Sequence, residues 1–344
     1  RTSNTILQGC YLTKVEVNSD NDITSTYTLD PTTGELTGAG TGKQIIVSTG
    51  GMGIYASGFP LTTSATSAAT NGAYVVVKPG THILKIRYWL KDVATGIEGT
   101  ITKILPSATY DQNKYYNITA NLDVRDYDGD HYYMWDAQKQ CWYGYEWTKH
   151  LPGITGQPTQ NYNGSSNYPQ NNSDVSRWYH EGGGSGRFDA TQSCAGLPNV
   201  NEMTWYAAKG DPRWDDDELW TTMGHLYKGG MWFKKKANIS GYNPNTAIDG
   251  NDWRTNGGPT VSENRWSASQ TLPSAADANN YFYLPALGYY AFGDLTTVGE
   301  VGYYWSSSAY PLQHEHAFYL GFYNGGVDVS NERCFFAFRA EAFQ

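Results

Sequence analysis

The sequence predicts a mainly β protein with some α, in two domains: an antiparallel β-sandwich over 1–125 and an α+β domain over 126–344. Three observations carry this reading. Apolar and polar residues alternate in many short runs through the first third of the chain, with no helical period among them. Helical spacing gathers in one stretch near 189–209. Near the end, Asn324-Gly325-Gly326 joins two apolar runs, the strongest short-range signal for a β-hairpin. A length of 344 residues accommodates two domains.

In the first domain, Tyr11, Thr13, Val15 and Val17 fall on one face of a strand, with Lys14 and Glu16 on the other. Further strands are expected at 44–49, 74–78, 81–90, 98–105 and 114–122. The clearest places Leu84, Ile86, Tyr88 and Leu90 inward and Lys85, Arg87, Trp89 and Lys91 outward. Pro79-Gly80 and the Ser/Thr/Ala-rich stretch 62–70 read as turn and loop. Many short strands at this spacing argue for an antiparallel sandwich.

The junction, DVRDYDGDHYYMWD at 123–136, places Asp126, Asp128 and Asp130 about a glycine, as carboxylates stand in calcium loops. The EF-hand template fails, because His131 occupies its glycine position and no acidic residue closes the loop. An acidic turn is the favoured reading, and calcium at these three aspartates is the weak alternative. Beyond it, 155–173 is an Asn/Gly/Pro/Ser-rich loop, and EGGGSGR at 181–187 is a loop lacking the Lys-Ser/Thr of a phosphate-binding turn. A short helix is expected over 189–196. A second, over 200–209, is capped by Asn199 with Glu202 three residues on. The chain then turns from Asp211, where Asp215, Asp216, Asp217 and Glu218 cluster as a solvated loop or a weak metal candidate. A strand follows over 227–236, and 262–269 and 279–287 lead into the tail.

The tail reads as a small antiparallel sheet, with strands around Tyr304-Trp305, 317–322, 327–329 and 335–338. Its loops and exposed strand positions carry the candidate ligand-binding residues. These are Tyr310, Leu312, Gln313, His314 and Glu315, then Tyr319 and Tyr323, then Asp328, Ser330, Asn331, Glu332, Arg333 and Phe335. Aromatic and hydrogen-bonding residues on a rigid scaffold suit recognition of sugars or protein surfaces.

Composition excludes several functions. A formal net charge of −9 argues against nucleic acid and anionic membranes as partners. Lys234-Lys235-Lys236 reads as a solvated strand end, and no apolar run is long enough to insert in a membrane. The start, Arg1-Thr2-Ser3, is that of a mature or trimmed product. Cys10, Cys141, Cys194 and Cys334 show no C-x-x-C spacing, and neither H-E-x-x-H nor a serine triad order can be assigned. No cofactor is implied apart from the calcium alternative.

At the residues YWSSS (304–308), the hairpin that follows and the closing strand ending at Phe338-Arg339, the tail resembles C-type-lectin-like domains of the formylglycine-generating-enzyme type. PGTHILKIRYWL and YDQNKYYNITANLDV are similar to transthyretin-like domains of the fimbrillin (Mfa-like) family, which builds type V pili. The stretch LPNVNEMTWYAAKGDPRW…LYKGGMWFKKK resembles the lectin-like carboxyl domain of fimbrillin-type pilus tip subunits. Fimbrillins typically carry two sandwich domains, and one is evident here.

These resemblances imply a transthyretin-like sandwich followed by a C-type-lectin-like domain, in an extracellular tip adhesin of a bacterial cell-surface fimbrium. The adhesin would pair with an adjacent pilin subunit by strand exchange and bind an unidentified glycan or protein surface. Pilins of this kind donate a strand, and the chain stops at Gln344 with none to spare, which places it at the tip. Lectin-like domains often tie their first helix to their last strand, so the resemblance also implies a Cys194–Cys334 disulfide. A structural pilin is one alternative. An enzyme of the formylglycine-generating type is another, and it would need a reactive cysteine pair. The tail also resembles variable proteins of diversity-generating retroelements, with Tyr319, Gly321, Tyr323, Asp328, Ser330, Asn331 and Phe335 as diversified positions. Cys334 would join that set at the expense of the disulfide.

Overall fold

The longest alternating runs make the longest strands. In a computed structural model, which describes residues 1–24, 26, 28–34, 36–38, 42–51, 53–63, 66–146, 167–181, 186–259 and 264–343, the protein is mainly β, with 38% of residues in strands and 10% in helices. Parts of the expected loops at 62–70, 155–173, 181–187 and of the 262–269 lead-in lie outside the described residues. The chain forms two units: Arg1–Arg125 with Asp217–Leu219 and Pro273–Asn279, and Asp126–Asp216 with Trp220–Leu272 and Asn280–Gln344.

In the first unit, β1 (Cys10–Ser19), β2 (Thr28–Leu29), β3 (Leu36–Thr37), β4 (Gln44–Ser48) and β5 (Phe59–Pro60) precede the short helix α1 (Ala68–Asn71). The long strands β6 (Gly80–Asp92) and β7 (Glu98–Tyr110) follow. Antiparallel pairing runs β4-β1-β6-β7, and β5 also joins β1. Facing in β1 departs from simple alternation. A bulge between Leu12 and Lys14 shifts the register, so Cys10 and Leu12 turn inward with Val15 and Val17, where Tyr11 and Thr13 were expected.

On β6 the inward set is as expected, Leu84, Ile86, Tyr88 and Leu90 all being buried, but Lys85 and Arg87 are buried too. Later segments of the same unit cover them: the Lys85 ammonium donates to the Pro273 carbonyl, and Arg87 donates to Thr100 and lies 3.8 Å from Asp217. Two expected strands are missing. Residues 74–78 and 114–122 lie outside any ladder, with Tyr74, Val76 and Tyr115 exposed by 76%, 88% and 93%. Alternation made them fit to pair; no partner strand is supplied among the described residues of this unit.

The second unit contains β8 (Tyr132–Met134), α2 (Val200–Lys209), β9 (Arg213–Thr222) apart from its Asp217–Leu219 portion, β10 (His225–Lys234), α3 (Trp253–Asn256), β11 (Arg265–Ser267) and β12 (Tyr281–Pro285). After these come β13 (Tyr289–Ala291), β14 (Asp294–Thr296), β15 (Val301–Ala309), β16 (His316–Tyr323), β17 (Gly326–Arg333) and β18 (Ala337–Arg339). Its main sheet runs β11-β17-β16-β15-β18-β13-β14, with β8 on β18, and β10 lies between β9 and β12 in another sheet. The β16–β17 hairpin turns through Asn324-Gly325, where Gly325 takes φ +122°, a value a side chain disfavours.

Helix α2 starts where the sequence marks it. The Asn199 side chain accepts from the Glu202 N–H, and the Glu202 carboxylate accepts from the Asn199 N–H, which completes a capping box. Its inward face, Val200, Met203, Tyr206 and Ala207, meets the core side of the sheet, where Leu320, Phe322, Val327 and Val329 are buried.

Two local expectations fail. Residues 189–196 form turns instead of a helix, because their N–H groups are drawn to the buried carboxylate of Asp136. The acidic run 215–218 lies in strand β9 instead of a loop, where successive side chains point opposite ways. Replacing Asn199 with Ala is expected to lower stability by about 1 kcal/mol in urea unfolding, while Asn199→Asp retains most of it. An unchanged midpoint for Asn199→Ala would show that the box contributes nothing.

Candidate functional site

Strand pairing divides the tail sheet into two faces. The register Tyr303↔Gly321, Trp305↔Tyr319, Tyr319↔Ser330 and Gly321↔Asp328 puts these residues on one side, opposite the α2-facing core. On this outer side Trp305 and Phe338 stack 4.1 Å apart and are fully buried, making a floor. Tyr303 lies above it, 4.9 Å from Tyr289, 4.9 Å from Tyr319 and 5.1 Å from Phe338. Phe336, Phe335 and Phe292 continue the rings outward, at 5.1 Å and 5.5 Å from one to the next around Phe335. Tyr289, Tyr303, Phe335 and Phe336 are half-buried, and Phe292 is exposed.

A polar corner borders the rings. The Tyr319 hydroxyl donates to Asp328 at 3.5 Å, and Ser330 is buried beside it. Asp328 is 7% exposed. Burial is the dominant influence and raises its pKa, against the lowering pull of Arg265, its register partner, and of the Tyr319 hydroxyl. Burial first, and then the Asp328 charge, push the Tyr303 phenol up to about 12. At Gly321 an added Cβ would lie 2.9 Å from the Tyr319 ring and 3.0 Å from the Asp328 carboxylate, so this notch is filled by its neighbours.

The expected binding residues divide between places. Tyr319, Tyr323, Asp328, Ser330 and Glu332 share the outer face, with Phe335 beyond it. Tyr310, Leu312, Gln313, His314 and Glu315 form the turn between β15 and β16, where Tyr310 packs edge-on against Phe318 and Leu312 is 64% exposed. Asn331 points away from the outer face and contacts His316 Nδ1 at 2.8 Å, and Arg333 lies over the Phe335 ring. Tyr289, Phe292, Tyr303 and Phe336 were missed, although two Tyr-Tyr pairs and a Phe-Phe pair mark three of these positions in the sequence.

The other chemical candidates resolve differently. Cys194 and Cys334, like Cys10 and Cys141, form no disulfide, so the bridge implied by the resemblance is not present. The Cys194 thiol instead accepts from the Asp136 N–H at 3.3 Å, and burial pushes it up to about 12. Burial raises Cys334 as well, and the neighbouring Cys194 adds to it. Thiols held protonated in this way are poor nucleophiles at neutral pH.

Asp126 accepts from Thr221, and Asp128 accepts from His131 and the Asp130 N–H. Burial works to raise Asp128 but is outweighed by these bonds, and its pKa is lowered. In the second acidic run, Asp215 accepts from Trp232, Asp216 from Trp214, and Glu218 from Thr100 and Thr102. Among the described residues no group of three or more His, Cys, Asp or Glu side chains is placed to hold a metal ion. None of the described helices is long and apolar enough to cross a membrane.

Comparison with known proteins returns nothing. No family model, curated protein or solved structure matches the chain.

A buried carboxylate with a raised pKa makes stability depend on pH in a definite direction. The native state holds the Asp328 proton more tightly than the unfolded chain does, so its contribution is full below the ordinary value of 3.8 and is lost as pH rises through the folded value. Asp328→Asn is therefore expected to melt higher than the parent at pH 7, with the gain shrinking as pH falls toward 3.8. A lower melting temperature for Asp328→Asn at pH 7 would mean that pairing with Arg265 outweighs burial.

Proposed function

We propose that this chain is an adhesin of a bacterial cell-surface fimbrium, carried at its tip, that binds a glycan or protein surface through the outer face of the tail sheet. The observation that carries this is the polar corner of Asp328, Ser330 and Tyr319 set against half-buried rings. Burying a carboxylate costs stability, and groups held at such a cost concentrate at functional sites. Broad, rigid rings with a few hydrogen-bonding groups beside them are the composition of recognition surfaces, where aromatics supply contact area at low entropic cost.

The fimbrial setting and the transthyretin-like and lectin-like assignments are supported by the quoted motifs. Strand exchange with an adjacent pilin is supported by the unpaired, alternating stretches around Tyr74 and Tyr115, because a strand laid beside such a segment supplies its missing ladder.

The full chain should be tested for binding to a panel of glycans and purified host surface proteins. Tyr303→Ala and Phe336→Ala are expected to weaken the captured ligand by about tenfold or more, some 1.4 kcal/mol, with little effect from Leu312→Ala or His314→Ala. Loss confined to the Leu312 and His314 variants would move recognition to the β15–β16 turn. No ligand at all, together with efficient capture by pilin subunits, would replace the adhesin with a structural pilin.

A further inference from the structure

A pocket of about 310 Å³ opens in the second unit among segments the tail does not contain, with walls that include Gln138, Asn172, Trp178, His180, Glu181 and Gln192. Its frame is rigid for identifiable reasons. Asp136, fully buried, accepts from the N–H groups of Thr191, Gln192 and Cys194 at 2.8, 2.7 and 3.1 Å, and from His180 Nδ1 at 3.1 Å. One carboxylate thus fixes the backbone that carries Gln192 and orients the His180 ring. The Trp178 wall is fixed as well. Arg177, 5% exposed, donates to the carbonyls of Cys141 and Asn167 and to Asp174, and the Trp178 N–H donates to the Asp174 carbonyl. The indole lies nearly parallel to Phe335, at 17° and 6.4 Å, with its Nε1 donating to Glu181 at 3.3 Å.

We propose that this pocket is a saccharide-binding subsite, taking one neutral hexopyranose ring against Trp178, with Gln138, Asn172, Gln192 and Glu181 addressing its hydroxyls. The chemistry of the walls selects the class. Among the described residues no lysine or arginine lines the pocket, and Glu181 repels anions, so phosphate and carboxylate ligands are disfavoured. Val175 and Tyr179 line the pocket beside Trp178, so its walls mix apolar surface with amide and carboxylate groups, where a lipid chain would need apolar walls throughout. An indole ring beside planar amides fits a pyranose: the ring C–H bonds carry partial positive charge and meet the negative π-face, while the amides donate to and accept from hydroxyls at the rim. The volume lies at the lower end of small-molecule sites, enough for a single sugar ring and its substituents. The residues that line this subsite are not those of the outer face, although Trp178 packs on Phe335 at the edge of that face.

The probes are methyl α-mannopyranoside, methyl β-galactopyranoside and N-acetylglucosamine, each at millimolar concentration with the full chain, read by saturation-transfer NMR. At least one is expected to receive saturation at its ring protons. Trp178→Ala should weaken that binding by about tenfold or more, as loss of an aromatic platform does, and Trp178→Phe should retain most of it. Gln138→Ala and Asn172→Ala, at exposed positions, should each weaken it with the melting temperature unchanged, and they decide the matter if Trp178→Ala does not fold. Tyr303→Ala should leave it unaltered, which separates this subsite from the outer face. Absence of saturation with all three sugars, or undiminished binding in folded Trp178→Ala or in the Gln138 and Asn172 variants, overturns the proposal.

Discussion

The carboxylate of Asp136 is the point on which the local order of the second unit depends. The segment 186–197 that crosses it has neither helix nor continuous strand, so its N–H groups find no regular ladder. Three of them converge on Asp136, whose fully buried carboxylate would be costly to leave without these donors. Asp136 itself sits at φ +53°, a conformation aspartate tolerates better than most residues. From the segment it fixes, Ala190 donates to the Ser307 carbonyl. Further on, the Val200 N–H at the start of α2 donates to the Ser308 hydroxyl, so the helix begins from a settled position against β15.

With α2 placed, the tail sheet acquires two unlike sides. The inner side is closed by aliphatic and aromatic side chains, and its tyrosines reach partners: Tyr304 donates to the Pro285 carbonyl and Tyr132 to that of Leu287. The outer side also begins with buried rings, Trp305 and Phe338, and Trp305 Nε1 donates to the Tyr133 carbonyl. Above that floor the rings become half-buried. Large rings bury much area with few rotatable bonds, so a surface made of them is stiff before anything binds. That stiffness would hold the shape and the polarity of the outer side ready for the ligand proposed above.

Much of the tail was legible because its strands obey a period of two and its turn uses Asn-Gly. The start of α2 was legible because Asn199 and Glu202 are three apart. Other features depend on residues remote in sequence. Burial of Lys85 and Arg87 requires Pro273 and Asp217, and a bulge at Leu12 reverses facing without any sign in the composition. The turns at 189–196 mimic a helical start because the decisive acceptor, Asp136, lies more than fifty residues earlier. Alternation found Tyr319, Asp328 and Ser330, but Tyr289 joins them only through β13 and β18. The Trp178 pocket was invisible for the same reason, being assembled from short pieces that carry no common period.

Gly321 gives the outer face a particular evolutionary character. Its missing side chain leaves room for Tyr319 and Asp328 to lean together, and the atoms that crowd it belong to movable side chains instead of backbone. A single added carbon there would reshape the outer face while the helix-facing core stayed as it is. Chains differing only at this position would share a fold and differ in what their outer faces present.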